Sequence, residues 1–347
     1  MTILVRPVRY EEESEELLSF LRSNLPGLPH ECRFSWRYHA NPDGPACSWL
    51  ARETAKGRII GVTSVFPRAM WIGHRVKMCS QVGDFVISKS HRSLGPAVLL
   101  QRATFDPVDQ DKFSLCYDCP PHPAGMSTFR RLGMQPSCAV HRYALPLRVD
   151  RHIDKLLGFP APLPAAAANL LLRAHRRISF PAQPGDLDVC EYVGRFGDEF
   201  TELDEALKNP NAIRCRRNAE QLNWRYREDP LQQFHVLTAR RKGELIAFLV
   251  CTVSADAVFV VDIFGKEIFT AAIALIGRIV EQHEKSQHTI EAFLSDGNAL
   301  LGPILKAGFR HRSMGAQIVA YAKLGGETSA FIEGKPTWAL QQIDIRA

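Results

Sequence analysis

An internal repeat constrains this chain more than any other feature of its sequence. Trp36-Arg37-Tyr38, followed by Pro42, recurs as Trp224-Arg225-Tyr226, followed by Pro230. The offset is the same for both parts of the motif, since 224 − 36 and 230 − 42 both equal 188. A motif that recurs at this distance predicts two copies of one fold.

Three further matches follow in the same order in both halves. They comprise a glycine turn before an apolar strand, an aspartate within an apolar strand, and a tripeptide with glycine at its centre. The matched pairs are 57–61 with 243–247, Asp84 with Asp262, and 132–134 with 307–309. Because aromatic residues repeated at equivalent sites are usually core residues, Trp36 and Trp224 are expected to pack rather than to stack on a ligand.

The repeat divides the chain into two domains. At 347 residues the chain is long for a single core. We predict an N-terminal domain at 1–147, a linker rich in proline and alanine at 148–184, and a C-terminal domain at 185–347. A basic helix is expected within the linker, at 165–177. It is expected to pack on one domain with its basic side in water, and the alternative is a helix that lies on a membrane surface.

The composition is that of an ordinary globular protein in a reducing compartment. Apolar residues make up 46% of the chain and charged residues 23%, which argues against extensive disorder. The 9 cysteines are odd in number and scattered, so free thiols are expected. The start has no signal-peptide pattern, and no apolar run approaches the roughly 20 residues that a membrane span needs. We therefore predict a cytoplasmic protein with no membrane span.

The sequence lacks the motifs that mark several common classes of enzyme and metal site. The sequence has no Gly-x-Ser-x-Gly, P-loop or Rossmann fingerprint, so hydrolase, NTPase and dehydrogenase functions are unsupported. Cys116 and Cys119 have half of a zinc-site spacing, but no second cysteine pair follows at the required distance, so no metal is expected. The net charge of +6 suits an anionic ligand without indicating a specific nucleic acid.

The apolar pattern predicts an α/β fold for each half. The sheet is expected to be mixed, with parallel and antiparallel strands, as in α+β proteins. The order strand, helix, strand at 84–118 requires a right-handed crossover and places a parallel pair at the centre of a mostly antiparallel sheet. In the N-terminal half the predicted strands are 3–8, 48–53, 58–67, 69–78, 84–88, 113–118 and 140–147. The predicted helices are the segment after the first strand, 96–105 and 124–132.

The strand at 84–88 runs into a helix through a polar turn that carries Arg92, Gly95 and Ala97. A helix that starts directly after a strand leaves several backbone N–H groups free. Together with the helix dipole, these groups form a site for phosphate. The turn is therefore predicted to hold the pyrophosphate of a coenzyme.

The order strand, Arg-x-x-Gly-x-Ala turn, helix, strand and a helix ending in Leu-Gly-Met resembles the GNAT superfamily of acyl-CoA-dependent N-acyltransferases. The duplication and the Trp-Arg-Tyr-x3-Pro segment are similar to the tandem GNAT proteins. The resemblance implies two tandem GNAT-like domains and direct attack of an acceptor amine on the thioester of acetyl-CoA or another acyl-CoA. The coenzyme-binding residues that it implies are Val86, Ile87, Ser88, Arg92, Ser93, Leu94, Gly95, Pro96 and Ala97.

The resemblance also implies catalytic roles. A backbone N–H near Val86 or Ile87 would polarise the thioester carbonyl. The candidates for removing a proton from the amine are Asp84, Asp118, His122 and Tyr117. Asp84 is favoured, because carboxylates on this strand serve as bases in the family that the chain resembles. Where that family often has a tyrosine as acid for the leaving thiolate, this chain has Phe129, and His122 stands where an asparagine is often found.

The second half lacks the phosphate turn. Lys266 and Glu267 follow its corresponding strand, and Glu267 would repel an anion. We predict that the C-terminal domain binds no coenzyme and instead completes the acceptor pocket or the fold. Arginines concentrated at 214–241 form a solvated face, a docking site for an acyl carrier protein, or a site for an anionic acceptor.

The sequence leaves alternatives for the function. A non-catalytic protein could keep this scaffold to sense acyl-CoA or to bind another protein, which Phe129 and the missing second turn favour. The donor could also be a long-chain acyl or aminoacyl carrier. The acceptor is expected to be a small-molecule or peptide amine. The sequence does not specify which amine, because acceptor pockets in this fold are made by loops without a portable signature.

Overall fold

The structure, a computed structural model, describes residues 2–25, 31–55, 57–92, 94–120, 123–179 and 185–345. The strands are β1 Ile3–Pro7, β2 Cys47–Glu53, β3 Ile59–Ile72, β4 Arg75–Ile87, β5 Cys116–Asp118, β6 Cys138–Pro146, β7 Asp188–Glu191, β8 Ala212–Cys215, β9 His235–Arg241, β10 Glu244–Val253, β11 Ala257–Gly265, β12 Thr289–Ser295, β13 Arg310–Tyr321 and β14 Thr337–Trp338.

The helices flank the two faces of the sheet. They are α1 Tyr10–Asn24, α2 Glu31–Phe34, α3 Leu94–Ala103, α4 Asp106–Asp109, α5 Pro123–Arg131, α6 Asp150–Leu157, α7 Pro162–Ser179, α8 Asp198–Ala206, α9 Ala219–Tyr226, α10 Ile268–His283, α11 Leu301–Lys306, α12 Glu327–Glu333 and α13 Gln342–Ile345. A π-helical turn at Ser35–His39 follows α2, and a 3₁₀ turn at Lys89–His91 precedes α3.

Charge and apolar spacing explain the first helix. Glutamates occupy positions 11–13 in the first turn of α1 and Arg22 lies in the last turn, which complements the helix dipole. Leu17 and Leu21, four residues apart on one face, are buried. The helix packs this face against Tyr38 and the neighbouring strands.

One mixed sheet runs through both halves, in the order β1-β2-β3-β4-β5-β13-β6-β12-β11-β10-β9-β7, with β8 and β14 attached at the side. Each half has a strand-helix-strand crossover that gives a parallel pair, β4 with β5 around α3 and β11 with β12 around α10. All other strand pairs of the main sheet are antiparallel. The predicted mixed fold with one parallel crossover in each half is confirmed.

One late strand of each half pairs within the other half. Strand β13 lies beside β5, with Val319 opposite Asp118, and β6 lies beside β12, with Val140 opposite Ser295. The two exchanged strands also pair with each other. The boundaries 1–147, 148–184 and 185–347 stay predictions, and β6 completes the sheet of the half that follows it in sequence.

One predicted strand was wrong. The segment 69–78 is not a separate strand but the tip of a hairpin, in which β3 runs to Ile72 and β4 starts at Arg75. Gly73 makes the turn with a φ of 60°, a left-handed conformation that glycine adopts without strain. The single glycine lies in an otherwise strand-forming run, so composition gave no sign of the turn.

The repeated tryptophans meet where the two halves touch. The rings of Trp36 and Trp224 stack with centroids 4.7 Å apart and planes 22° apart. Each indole N–H donates to the other residue's backbone carbonyl, Trp36 to Trp224 over 3.0 Å and Trp224 to Trp36 over 3.2 Å. This reciprocal contact gives both tryptophans a packing role.

The linker contains two helices, α6 and α7, and α7 includes the helix predicted at 165–177. The Asn169 side chain accepts from the Val149 N–H over 2.8 Å and donates to Asp150 over 2.7 Å, which ties the two helices together. Arg176 donates to the Leu147 carbonyl over 2.8 Å. Of the helices in the described ranges, none is long and apolar enough to cross a membrane.

Candidate coenzyme site and its second copy

Strands β4 and β5 pair over a short stretch and then separate. Their partners are Ser80 with Cys116 and Gln81 with Tyr117. Strand β5 ends one residue later, whereas β4 continues to Ile87. The edge of β4 beyond Gln81 therefore faces a gap, and a free strand edge of this kind can pair with an extended ligand.

A bulge in β4 lies beside this gap. The register between β3 and β4 shifts between Val62 and Ser64, and Asp84 has a φ of 48°. Past the bulge, the Ser88 N–H donates to the Ile60 carbonyl over 2.8 Å. Since N–H directions alternate along an antiparallel strand, the N–H of Val86 points to β3 and that of Ile87 points into the gap. Of the two predicted donors, Ile87 has the suitable orientation.

The predicted phosphate turn joins β4 to α3. Ser88 and Ser90 hold the turn, because both hydroxyls lie within hydrogen-bond distance of His91 Nδ1, at 3.0 and 2.9 Å. Helix α3 begins at Leu94, so its first free N–H groups belong to Leu94, Gly95 and Ala97. Pro96 has no N–H and fits the first turn. Ser93 lies outside the described residues.

The space around Gly95, at the start of this helix, is open. Gly95 is exposed, and a Cβ added there would meet no atom within 4 Å. Arg92 is also exposed, and it forms no ion pair with any residue that the structure describes. An open glycine, free backbone donors and an unpaired guanidinium are the groups that hold a pyrophosphate.

The corresponding turn of the second half is built differently. Glu267 precedes α10 and forms an ion pair with Arg241. Gly265 does not face open space, since a Cβ there would lie 2.2 Å from Ala247 Cβ. A carboxylate thus lies at the N-terminus of α10, and Gly265, which ends β11 two residues earlier, is packed against β10.

The chain's own C-terminal segment fills the gap between β11 and β12. The Gln341 amide accepts from the Ile263 N–H over 2.8 Å and donates to the Ile263 carbonyl over 2.8 Å. Gln341 also bridges to Leu294, and the Ser295 N–H donates to the Leu340 carbonyl over 3.2 Å. Sequence reasoning missed this contact, because nothing in the local sequence around Gln341 marks it.

Asp84 belongs to a buried network of charges. Its carboxylate accepts from the Tyr38 hydroxyl over 2.8 Å and pairs with Arg33 at 3.4 Å. Burial favours a raised pKa for Asp84, but Arg37 and Arg33 outweigh it, and the pKa lies below its usual value. A buried carboxylate held ionised by two cations is a weak base.

The second copy of this aspartate has equivalent contacts. Asp262 accepts from the Tyr226 hydroxyl over 3.0 Å and from Arg217 over 2.9 Å. Because this half has no open phosphate turn, the shared contacts do not depend on a coenzyme. They favour a structural role for Asp84 and weigh against the role of base that the sequence predicted.

Tyr117 is also in the core. It is fully buried, and its hydroxyl donates to the Asp344 carbonyl over 2.9 Å and accepts from Arg68 over 3.2 Å. Burial raises the pKa of Tyr117 well above its usual value. Because these contacts already engage the phenol oxygen, it is not free to accept a proton from an amine. His122, the fourth predicted candidate, lies outside the described residues.

Asp118 has the surroundings expected of a base. It ends β5 at the point where the strands separate, and it forms no ion pair with the described residues. Burial raises the pKa of Asp118 to about 7, and only the backbone N–H of Cys119 opposes this shift. A carboxylate with such a pKa can take up a proton near neutral pH.

Phe129 lies on α5 and packs in the apolar core between this helix and α3. It is 1% exposed and lies in one cluster with Leu100 and Met126. This position supplies neither an acid nor a hydrogen-bond donor. The chain thus has no side-chain acid at the place where the resembling family often carries its tyrosine.

The arginines at 214–241 do not form one exposed patch. Arg214 is buried and pairs with Asp204, and Arg217 is buried and pairs with Asp262 and Asp344. The remaining paired arginines of this segment are Arg216 with Asp204 and Glu205, Arg240 with Glu199, and Arg241 with Glu267. Arg225 is half-buried and donates to the Ile343 carbonyl over 2.7 Å.

Solved structures share this architecture. A GCN5-related N-acetyltransferase from Anabaena variabilis has a TM-score of 0.65 at 12% identity, covering 92% of this chain and 73% of its own. A conserved protein of unknown function and probable N-acyltransferase from Enterococcus faecalis V583 has a TM-score of 0.66 at 10% identity, covering 93% of this chain and 72% of its own. A tandem GNAT protein of the clavulanic acid biosynthesis pathway has a TM-score of 0.53 at 13% identity, covering 92% of this chain and 98% of its own.

These likenesses establish the fold. The chain has the tandem GNAT fold, with two GNAT-like units in one continuous sheet. No protein-family model matches the sequence, and no curated protein matches it significantly.

Proposed function

We propose that this protein is an acyl-CoA-dependent N-acyltransferase that uses its N-terminal half as the coenzyme site. The observation that carries the proposal is the contrast between the two halves. The N-terminal half has a free strand edge next to an open glycine and a helix start, whereas Gln341 and Glu267 occupy the same places in the C-terminal half. Release of CoA thiol from acetyl-CoA in the presence of a panel of amines tests the activity.

Acyl-CoA, when bound, supplies a thioester whose acyl group is transferred to an amine. Arg92 and the N–H groups of Leu94, Gly95 and Ala97 hold the pyrophosphate. The N–H of Ile87 donates to the carbonyl oxygen and stabilises the negative charge that develops there. Much of the rate enhancement comes from holding the thioester and the acceptor amine in the correct relative position.

Asp118 is the residue that we assign as base. As the amine nitrogen forms its bond to the acyl carbon, the carbon–sulfur bond breaks and the nitrogen loses a proton to the Asp118 carboxylate. Phe129 offers no proton, so the thiolate leaves as an anion or is protonated by water. These steps require no proton transfer by Asp84, Tyr117 or His122.

Asp118→Asn is expected to lower kcat/KM by roughly 10²- to 10⁴-fold at pH 8, the usual contribution of a positioned base. Because the pKa of Asp118 is raised to about 7, wild-type activity falls as the carboxylate is protonated below that pH. The ratio of wild-type to variant kcat/KM should therefore rise about tenfold per pH unit up to pH 7 and then level off. Acceptor ionisation cancels in this ratio.

The exposed Asp111, whose only ion-pair partner among the described residues is Lys323, provides a control, and Asp111→Asn should behave as wild type. A second readout is stability. Because the pKa of Asp118 is raised from 3.8 to about 7 in the folded state, the cost of ionising this carboxyl builds up between about pH 4 and pH 7 and is complete above pH 7. The Tm advantage of Asp118→Asn over the wild type should therefore be larger at pH 8 than at pH 4. A ratio that is flat with pH would exclude Asp118 as the base.

A second function is favoured by Phe129. A protein without an acid for the leaving group could bind acyl-CoA on the same scaffold and respond to it without turnover. The thiol-release assay separates the two functions. Acetyl-CoA binding without thiol release for any amine in the panel would support the binding protein, and amine-dependent release would support the transferase.

A further inference from the structure

A cavity of about 430 Å³ lies at the end of the sheet where β6 meets β11 and β12 of the C-terminal half, beside the first residues of the linker. None of its lining residues belongs to β4, to α3 or to the turn between them, so it is separate from the coenzyme site. Its volume falls within the range of small-molecule sites, roughly 300–1,000 Å³. Its floor is apolar and comprises Ala144, Pro146 and Ala257.

Cations dominate the rim of this cavity. The charged and titratable residues that line it are Arg142, Arg148, Arg151, Arg312, His288, Asp256 and Glu291. Together with Asp150, which pairs with Arg148 from outside the lining, three carboxylates compensate four guanidinium groups, so one cation is in excess. Such an excess favours an anion over a neutral or cationic ligand.

The ion pairs of the rim leave donors unused. Arg142 donates through Nε and Nη2 to Glu291, and Arg151 donates through Nη2 to Asp256. Because each guanidinium carries five N–H groups, both retain an Nη1 group for a further acceptor. Fewer N–H groups of Arg148 are free, since its guanidinium donates to Asp150 over 2.7 Å and to the Lys285 carbonyl over 3.1 Å.

Arg312 is the uncompensated charge. It lies on β13, is exposed, and has no hydrogen-bond or ion-pair partner among the residues that the structure describes. We propose that this cavity binds a small organic acid. Its carboxylate or phosphate accepts from Arg312 and from the unused groups of Arg142 and Arg151, and its apolar body lies over Ala144 and Pro146.

Isothermal titration with two probes, succinate and glycerol 3-phosphate, tests this site and distinguishes a carboxylate from a phosphate. We expect one of them to bind the wild type, and Arg312→Ala to weaken that binding at least tenfold. Arg310→Ala is the matched control, because Arg310 lies on the same exposed strand segment but does not line the cavity. It should bind the probe as the wild type does.

Gly95→Glu separates this site from the coenzyme turn. The probe should bind this variant with unchanged affinity, whether or not acetyl-CoA binds the wild type, so the cavity and the proposed function succeed or fail independently. The inference is overturned if neither probe binds at millimolar concentration, if Arg312→Ala binds as tightly as the wild type, or if Gly95→Glu loses the probe.

Discussion

Gly95→Glu should weaken acetyl-CoA binding by about 100-fold or more. The new carboxylate would lie at the start of α3, where the pyrophosphate is expected. Two unit charges about 4 Å apart repel by about 4 kcal/mol at the effective dielectric of a protein surface. Since about 1.4 kcal/mol corresponds to a factor of ten in affinity, this repulsion alone accounts for the loss. Calorimetry with acetyl-CoA measures it.

The variant should fold normally. A Cβ at Gly95 meets no atom within 4 Å, and the residue does not have a positive φ. Gly197→Glu is the matched control. Gly197 precedes α8 with a φ of −104°, and a Cβ there also meets no atom within 4 Å. Equal acetyl-CoA affinity in wild type, control and Gly95→Glu would remove the coenzyme from this turn.

Asp262→Ala should destabilise the protein by about 3–5 kcal/mol, the usual effect of removing one partner from a buried ion pair. Asp262 is 1% exposed and accepts hydrogen bonds from Arg217, Tyr226 and Gln341. Without it, the buried Arg217 keeps Asp344 as its one charged partner within the part of the chain that the structure describes. The free energy of unfolding, measured by urea titration and far-UV circular dichroism, reports the loss.

An exposed ion pair provides the comparison. Glu281 pairs with Arg278 one turn away on α10, and its side chain is 68% exposed. Glu281→Ala should change the free energy of unfolding by less than about 1 kcal/mol. If Asp262→Ala cost no more than Glu281→Ala, the structural role that we infer for the repeated Tyr–Asp–Arg network would be contradicted.

The sequence predicted the features that depend on local pattern and on repetition. The Trp-Arg-Tyr motif indicated the duplication, and in the structure it brings Trp36 and Trp224 into contact. The strand-turn-helix pattern placed Arg92, Gly95 and Ala97 at a helix start. Both signals lie within short segments, where residue type and spacing decide the conformation.

Long-range pairing was not readable in the same way. The exchange of β6 and β13 depends on which sheet edge each strand meets, and their own residues suit either edge. The contacts of Asp84 also depend on tertiary structure. Its cation Arg33 lies three residues before Trp36, whereas the equivalent cation Arg217 lies seven residues before Trp224. The repeat therefore did not reveal that both aspartates are paired.

The insertion of Gln341 between β11 and β12 is a third such case. Its amide pairs with both polar groups of the Ile263 backbone, which substitutes for the strand pairing that is missing there. Any residue with an amide side chain has this capacity. Only the path of the C-terminal segment across the sheet brings Gln341 to this place.

The number of acetyl-CoA molecules bound per chain tests the central claim most directly. The claim is that one half of a duplicated fold keeps an open coenzyme site and the other half has closed its copy. Calorimetric titration of the wild type should give a stoichiometry of one. Two equivalents would contradict the closure of the second copy by Gln341 and Glu267, and no detectable binding would contradict the coenzyme site itself.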